Sequence, residues 1–201
     1  MMVLRPFAST VLPAIARDRC GATAVEFAVI APVFLTMVMG IMDFGHWVYA
    51  RAELNGSVQQ AARSSTMETS DTSVADNMVR SYLSTIVPGV QVSSTRANYY
   101  DFTDVGRAER WNDQNNNGRC DNAETFVDEN ESGEWDPDIG RTGNGGASDV
   151  VVYTVTATYT SPFSVPFYPA SWKQRTLVAS TTLKNQPYAY QIAYGSSTGV
   201  C

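Results

Sequence analysis

Residues 22–42, ATAVEFAVIAPVFLTMVMGIM, set the first limit on the fold, because Glu26 is their only ionisable side chain. From Phe27 to Met42 every residue is uncharged and most are apolar. Counted from Ala22, the run is long enough, at about 1.5 Å per helical residue, to cross a hydrocarbon core of roughly 30 Å. Arg5, Arg17 and Arg19 precede it against one acid, Asp18, whereas Asp43 and Glu53 follow it beside Arg51. That asymmetry predicts a cytoplasmic N-terminus and an outside location for everything after about residue 45. The mean hydropathy of −0.18 leaves no room for further spans.

What remains must fold in water. A length of 201 residues permits one domain plus a tail, or two small domains at most. An apolar fraction of 44% is ample for a core, which excludes a wholly disordered chain. The net charge of −6 argues against sequence-independent nucleic-acid binding, which needs phosphate-neutralising Lys and Arg.

A cleaved secretory signal does not fit the span: the run is long, carries a carboxylate near its start and has no Ala-x-Ala site after it. A lipoprotein signal at Cys20 fails because the preceding ARDR is charged. A plain signal anchor stays open, yet it leaves Glu26 without a reason, and a carboxylate inside a membrane costs about 2.5–3.5 kcal/mol. If the chain is cut after Gly21, Ala22 becomes the new amino terminus and Glu26 the fifth residue, one helical turn away on the same face. The carboxylate then faces a terminal ammonium, its own or a neighbouring subunit's, in a weakly screening medium. This arrangement resembles type IV pilins and pseudopilins, and the resemblance implies that a prepilin peptidase cuts the leader on the cytoplasmic side.

The stretch RCGATAVEFAVIAPVFLTMVMGIMDFGHWVYARAEL resembles, more narrowly, the TadE-like minor pseudopilins of tight-adherence (Tad/Flp) pilus systems. The matching pieces are Gly21, Val25-Glu26-Phe27, Pro32 and the exit Gly40-Ile41-Met42-Asp43-Phe44-Gly45. TTLKNQPY at 181–188 is similar to the family's closing strand and ending. The resemblance implies a structural or priming subunit at the bacterial inner membrane. Its partners would be other pilins and pseudopilins, the pilus assembly platform and membrane lipid.

The fold expected is α+β: a long pilin-like helix over residues 22–63, packed on an extracytoplasmic head over 64–201. Beyond the span, Trp47 and Tyr49 suit an interfacial aromatic belt, and His46, the only histidine, reads as an interfacial polar residue. Val48, Ala52, Val58, Ala61 and Ala62 form an apolar stripe for the head, and Asn55-Gly56 marks a place for a bend. A second helix is predicted from about Val74 to Val87, capped by Ser73, with Val74, Met78, Tyr82 and Ile86 at four-residue spacing, widened by Val79 and Leu83. Pro88-Gly89 stops it, and a strand follows at Val90–Ser94. Residues 149–160 and 175–184 alternate with period two and predict an antiparallel pair packed on the long helix.

Between these elements, residues 101–149 hold 13 of the chain's 20 acids and only four of its 14 basic residues. Numbered from Asp113, oxygen side chains fall at positions 1 (Asp113), 3 (Asn115), 5 (Asn117), 9 (Asp121) and 12 (Glu124). Gly118 stands at 6 and the backbone carbonyl of Arg119 at 7. That is the ligand order of an EF-hand calcium loop. A second copy begins 15 residues later with Asp128, Asn130, Ser132, Gly133, Glu134 and Asp136, but position 12 is Ile139. Its coordination would need Asp138, Glu131 or a residue from elsewhere. Flanking helices are not evident. Crowded carboxylates repel one another unless a cation sits among them, which favours calcium; the alternative is a solvated acidic insertion. The family resemblance says nothing about this stretch.

Once Cys20 leaves with the leader, Cys120 and Cys201 remain, and two cysteines in an oxidising compartment tend to pair. The alternative is two free or intermolecular thiols. No catalytic set assembles: the single His sits at the membrane, and GNGG at 143–146 precedes a strand, so a phosphate cradle would lack its helix terminus. The expectation is a non-enzymatic pilus component; the alternative is an unprocessed, signal-anchored, calcium-dependent binding protein.

Overall fold

The computed structural model describes residues 20–65, 72–187 and 195–201. The leader expected over residues 1–21 therefore lies outside the described residues save its last two positions, as does Tyr188 of the closing motif.

Helix α1 runs unbroken over Cys20–Ser65, 46 residues or about 70 Å at the usual rise. It continues through Pro32, where Thr36 Oγ1 donates to the Pro32 carbonyl at 2.7 Å. It also continues through Asn55-Gly56, the expected bend, where the Asn55 amide donates to the Arg51 carbonyl at 2.8 Å. The two halves of the rod meet different surroundings. Val25, Phe27, Val33 and Ile41 are 60–72% exposed, while Ala50, Leu54, Val58 and Ala61 are buried. Val58, Ala61 and Ala62 are buried as expected, but Val48 and Ala52 face outward, because about 100° per residue carries them off the line through positions 50, 54, 58 and 61. Trp47 packs partly against the core rather than standing free in an interfacial belt.

Helix α2, Thr72–Ile86, returns along α1. Ser73 lies inside its first turn rather than capping it. Val79 and Leu83 are buried as expected and Ala75 joins them, Met78 and Ile86 pack partly against the core, and Val74 and Tyr82 are exposed. The helix stops where expected, with Val87 N–H still bonded to Leu83 and Gly89 at φ +77°.

A four-stranded antiparallel sheet covers the two helices in the order β3-β1-β4-β5, with β1 at Gln91–Tyr99, β3 at Arg141–Thr142, β4 at Val150–Thr160 and β5 at Gln174–Lys184. Val151, Tyr153, Val155, Ala157 and Tyr159 are buried, as the period-two pattern requires. β1 runs five residues further than expected because its second half contains Arg96 and Asn98, polar yet turned inward and hydrogen-bonded. The core joins Ala50, Leu54 and Val58 to Val79, Leu83, Val155, Leu177 and Ala179. A separate ribbon, β2 (Thr125–Asp128) with β6 (Ser197–Val200), carries the C-terminus.

One polar cluster ties α2 to the sheet. Arg96 donates to Asp76 at 2.8 Å and lies over the Tyr153 ring at 4.3 Å, and the Tyr153 hydroxyl donates to Asp76 at 2.6 Å. Partial burial alone would raise the Asp76 carboxyl, but donation from Arg96, Tyr153 and Ser94 outweighs it and the net shift is downward. Burial, then the Asp76 carboxylate, pushes the Tyr153 hydroxyl up. A folded pKa below the unfolded value makes Asp76 stabilising above about pH 4, with the contribution lost as pH falls through the folded pKa. Asp76→Asn should therefore lower the unfolding free energy at pH 7 by about 1–3 kcal/mol and flatten the acid limb of the stability profile. Denaturant titrations of the detergent-solubilised protein between pH 7 and pH 3 check this.

Candidate functional site

The first candidate region is the joint where the apolar half of α1 gives way to the head. Asp43, one residue past the apolar run, is 3% exposed. Arg175 of β5 donates to it at 2.6 Å and Ser161, just after β4, donates to its other oxygen. A carboxylate buried at this depth survives only paired and hydrogen-bonded, so the pair pins both ends of the β4–β5 connection to the helix. His46 is no free interfacial residue: it contacts the Ile86 carbonyl at 3.3 Å and stands edge-on to Tyr159 and Phe163. In the sequence Asp43 reads as a charge after the span and a member of the exit motif, with no sign of its partners. The signal was its seat in the exit motif, directly behind an apolar run. At the far end of the rod Gly21, Ala22 and Glu26 are exposed, and among the described residues nothing lies within 4 Å of a Cβ added at Gly21.

The second region is the acidic stretch, at the opposite end of the sheet from Asp43. Both loops share one backbone course. In loop one, Asp113 accepts the N–H groups of Asn117 and Gly118 at 3.1 and 2.9 Å; in loop two, Asp128 accepts those of Ser132 and Gly133 at 3.0 and 2.9 Å. Position 4 is left-handed in both, Asn116 at φ +56° and Glu131 at φ +62°, and so is the glycine at position 6. The asparagines Asn115 and Asn117 donate to Asp121, and Asn130 donates to Asp136 at 2.9 Å. Those contacts hold the Asp121 carboxyl below the usual carboxylate range, Asn117 contributing most. Ser132 reaches both Asp136 and the Glu134 carbonyl.

The closing carboxylates are exchanged between the loops. Glu124 accepts the N–H groups of Gln114, Asn115 and Asp121, at positions 2, 3 and 9 of loop one. Over loop two the same three positions, Glu129, Asn130 and Asp136, donate to Glu109. The carboxylate that gathers these N–H groups is Glu109, while Asp138 and Glu131 make other contacts. Asp138 accepts the Tyr99 hydroxyl at 2.9 Å, with burial and that carboxylate pushing Tyr99 up to about 12, and Glu131 lies 3.8 Å from Arg141. A sequence signal existed: Glu109 and Glu124 each stand four residues before a loop aspartate, so the repeat begins earlier than Asp113.

The repeats pair antiparallel about Trp111 and Phe126, with Asn112 N–H to Thr125 O at 2.9 Å and Val127 N–H to Arg110 O at 2.8 Å. This local two-fold carries each glutamate to the other loop. Arg107 clamps Glu129 with two hydrogen bonds and Arg110 adds a third, and Glu129 is lowered chiefly by Arg107. Among the described residues no three His, Cys, Asp or Glu side chains close on one point. Cys120 and Cys201 are bonded, Cα atoms 5.6 Å apart, across 81 residues of sequence. Gly199 is required opposite Phe126, since a Cβ there would run into the ring.

The segment that follows β5 braces a turn. Asn185 is 3% exposed and donates to the Asn144 and Gly146 carbonyls at 2.7 and 2.9 Å. GNGG is thus held by Asn185 and by the buried Asp149, which accepts from Gly146 at 2.6 Å.

Glu109→Ala should cost about 3 kcal/mol in chelator, because three partly buried N–H groups lose a charged acceptor. Chemical unfolding followed by Trp fluorescence reads this through the Trp111–Trp135 pair, 5.1 Å apart beside it.

Compared with protein-family models, residues 21–63 match the family described as TadE-like protein. No curated protein and no solved structure matches.

Proposed function

We propose that this chain, TadE-like over residues 21–63, is a minor pseudopilin: a structural or priming component of a Tad-type pilus or pseudopilus assembly at the inner membrane. The observation that carries the reading is the coincidence of the family match with α1. The match ends within two residues of the helix at both ends, and the matched helix divides into an exposed apolar half and a half that forms the head's core. One membrane-spanning helix at the N-terminus suits a single-pass subunit, with the head outside. Prepilin peptidase then removes the leader after Gly21, a residue whose lack of a side chain and exposure suit a cleavage position. Glu26 offers its carboxylate to the Ala22 ammonium that cleavage creates. The role is architectural, with other pilins, the assembly platform and lipid as partners.

N-terminal sequencing of the protein from its native membrane should start at Ala22. A start at Met1 or Met2 in the bulk membrane-resident protein would sink the reading in favour of an unprocessed anchored protein. Gly21→Trp should leave a precursor about 21 residues longer, and Glu26→Ala should impair incorporation into the assembly more than cleavage.

The head further reads as a calcium-dependent fold. The specific support is the repeated scheme of N–H donation to Glu124 and to Glu109, which aims one closing carboxylate at each loop. Loop one would hold the ion with Asp113, Asn115, Asn117, the Arg119 carbonyl, Asp121 and Glu124. Loop two would use Asp128, Asn130, Ser132, the Glu134 carbonyl, Asp136 and Glu109, with Asp138 outside the set. Calcium a hundredfold above its dissociation constant stabilises the folded state by about 2.7 kcal/mol per site. The protein should melt higher in calcium than in chelator. Asp113→Ala and Glu109→Gln should each remove about half of the difference, and reduction of the Cys120–Cys201 bridge should widen it. A melting temperature indifferent to both calcium and chelator returns the stretch to a solvated acidic insertion.

A further inference from the structure

The connection between β4 and β5, Ser161–Lys173, reads SPFSVPFYPASWK and contains no acid. It is held against α1 where the apolar run ends. Ser161 bonds Asp43, Phe163 stands 5.9 Å from the His46 ring, Val165 is buried, and the Tyr168 hydroxyl lies 3.6 Å from where Gly40 would carry a Cβ. Gly40 is inside the apolar run, about 3 Å below its last residue, Met42. The loop therefore reaches the level of the bilayer boundary, and there it turns two aromatic side chains outward. Phe167 is 95% exposed and Trp172 is 54% exposed. Phe167 is also held at φ +68°, a conformation that a bulky residue adopts only under constraint. The Trp172 ring meets that of Tyr168 edge-on at 5.3 Å and keeps its remaining surface open, and the neighbouring helix surface is apolar too, with Ile41 and Phe44 at 60 and 63% exposure.

Aromatic rings at headgroup depth, a lysine beside them and no carboxylate are the composition that a membrane interface selects. We propose that the β4–β5 loop is a second membrane contact of the head. Phe167 and Trp172 insert into the interfacial layer of the outer leaflet beside α1, and with the Asp43–Arg175 pair they set the head's tilt on the bilayer. The occupant is lipid, because the patch is continuous with the membrane-facing surface of α1. The proposal rests on the membrane-spanning reading of that helix.

The test uses the full chain with Cys20→Ser, in vesicles of phosphatidylcholine and phosphatidylglycerol. Single nitroxide labels go on Phe167→Cys, Trp172→Cys, Val33→Cys and Thr95→Cys, and collisions with oxygen and with a water-soluble nickel chelate are compared. Positions 167 and 172 should show an oxygen-to-nickel ratio severalfold above that of Thr95, an exposed position on β1, and approaching that of Val33 in the span. If Val33 is in lipid and both loop labels match Thr95, the loop contact is overturned alone. Labels at 167 and 172 shielded from both reagents overturn it as well, since they would be packed on protein. A water-exposed label at Val33 overturns the membrane reading and the loop contact together.

Discussion

A single helix serves two solvents, and the rest of the structure follows from how that change is managed. Over residues 22–42 α1 has little to bury against and shows its apolar side chains on all sides. From Ala50 onward the same rod supplies the central stripe of a water-soluble core. The change is made within a few residues, at Asp43, where Arg175 and Ser161 converge on a carboxylate too deep to stand alone. Because Arg175 and Ser161 flank the β4–β5 connection, that one polar contact fixes the sheet's edge and the aromatic loop against α1 together.

The far end of the head solves a different problem, the concentration of negative charge. Asp113 and Asp128 are each held by two backbone N–H groups, Glu109 and Glu124 by three each, and Glu129 by two arginines. The repulsion among them is met by oriented dipoles and guanidinium groups. The exchange of glutamates between loops makes the pair a unit, and the β2–β6 ribbon and the Cys120–Cys201 bond fasten that unit to the C-terminal segment.

Where local pattern carried the information, the residues were readable directly. The span, the length of α1, the stop at Pro88-Gly89 and the β4–β5 pairing all follow from periodicity and breakers acting within a dozen residues. The buried faces of α1 and α2 agree with the expected lines at Val58, Ala61, Ala62, Val79 and Leu83 and depart from them at one end of each, where Ala50, Leu54 and Ala75 are buried and Val48, Ala52, Val74 and Tyr82 are not. A helix with apolar residues on adjacent lines does not say which line its partner covers; the partner's placement does.

Side-chain chemistry and chain period were enough to identify the segment that can cross a membrane, the small α+β head after it and the two oxygen-rich loops of the acidic stretch. They were not enough to set Asp43 against Arg175, 132 residues away, or to make Glu109 close the loop that begins at Asp128. Nor could they put Asn185 under the GNGG turn or bring Tyr168 of the β4–β5 loop beside Gly40 of α1. Each of these is a placement across a long separation, and it exists only after the sheet has closed on the helices and left particular buried polar groups to find partners.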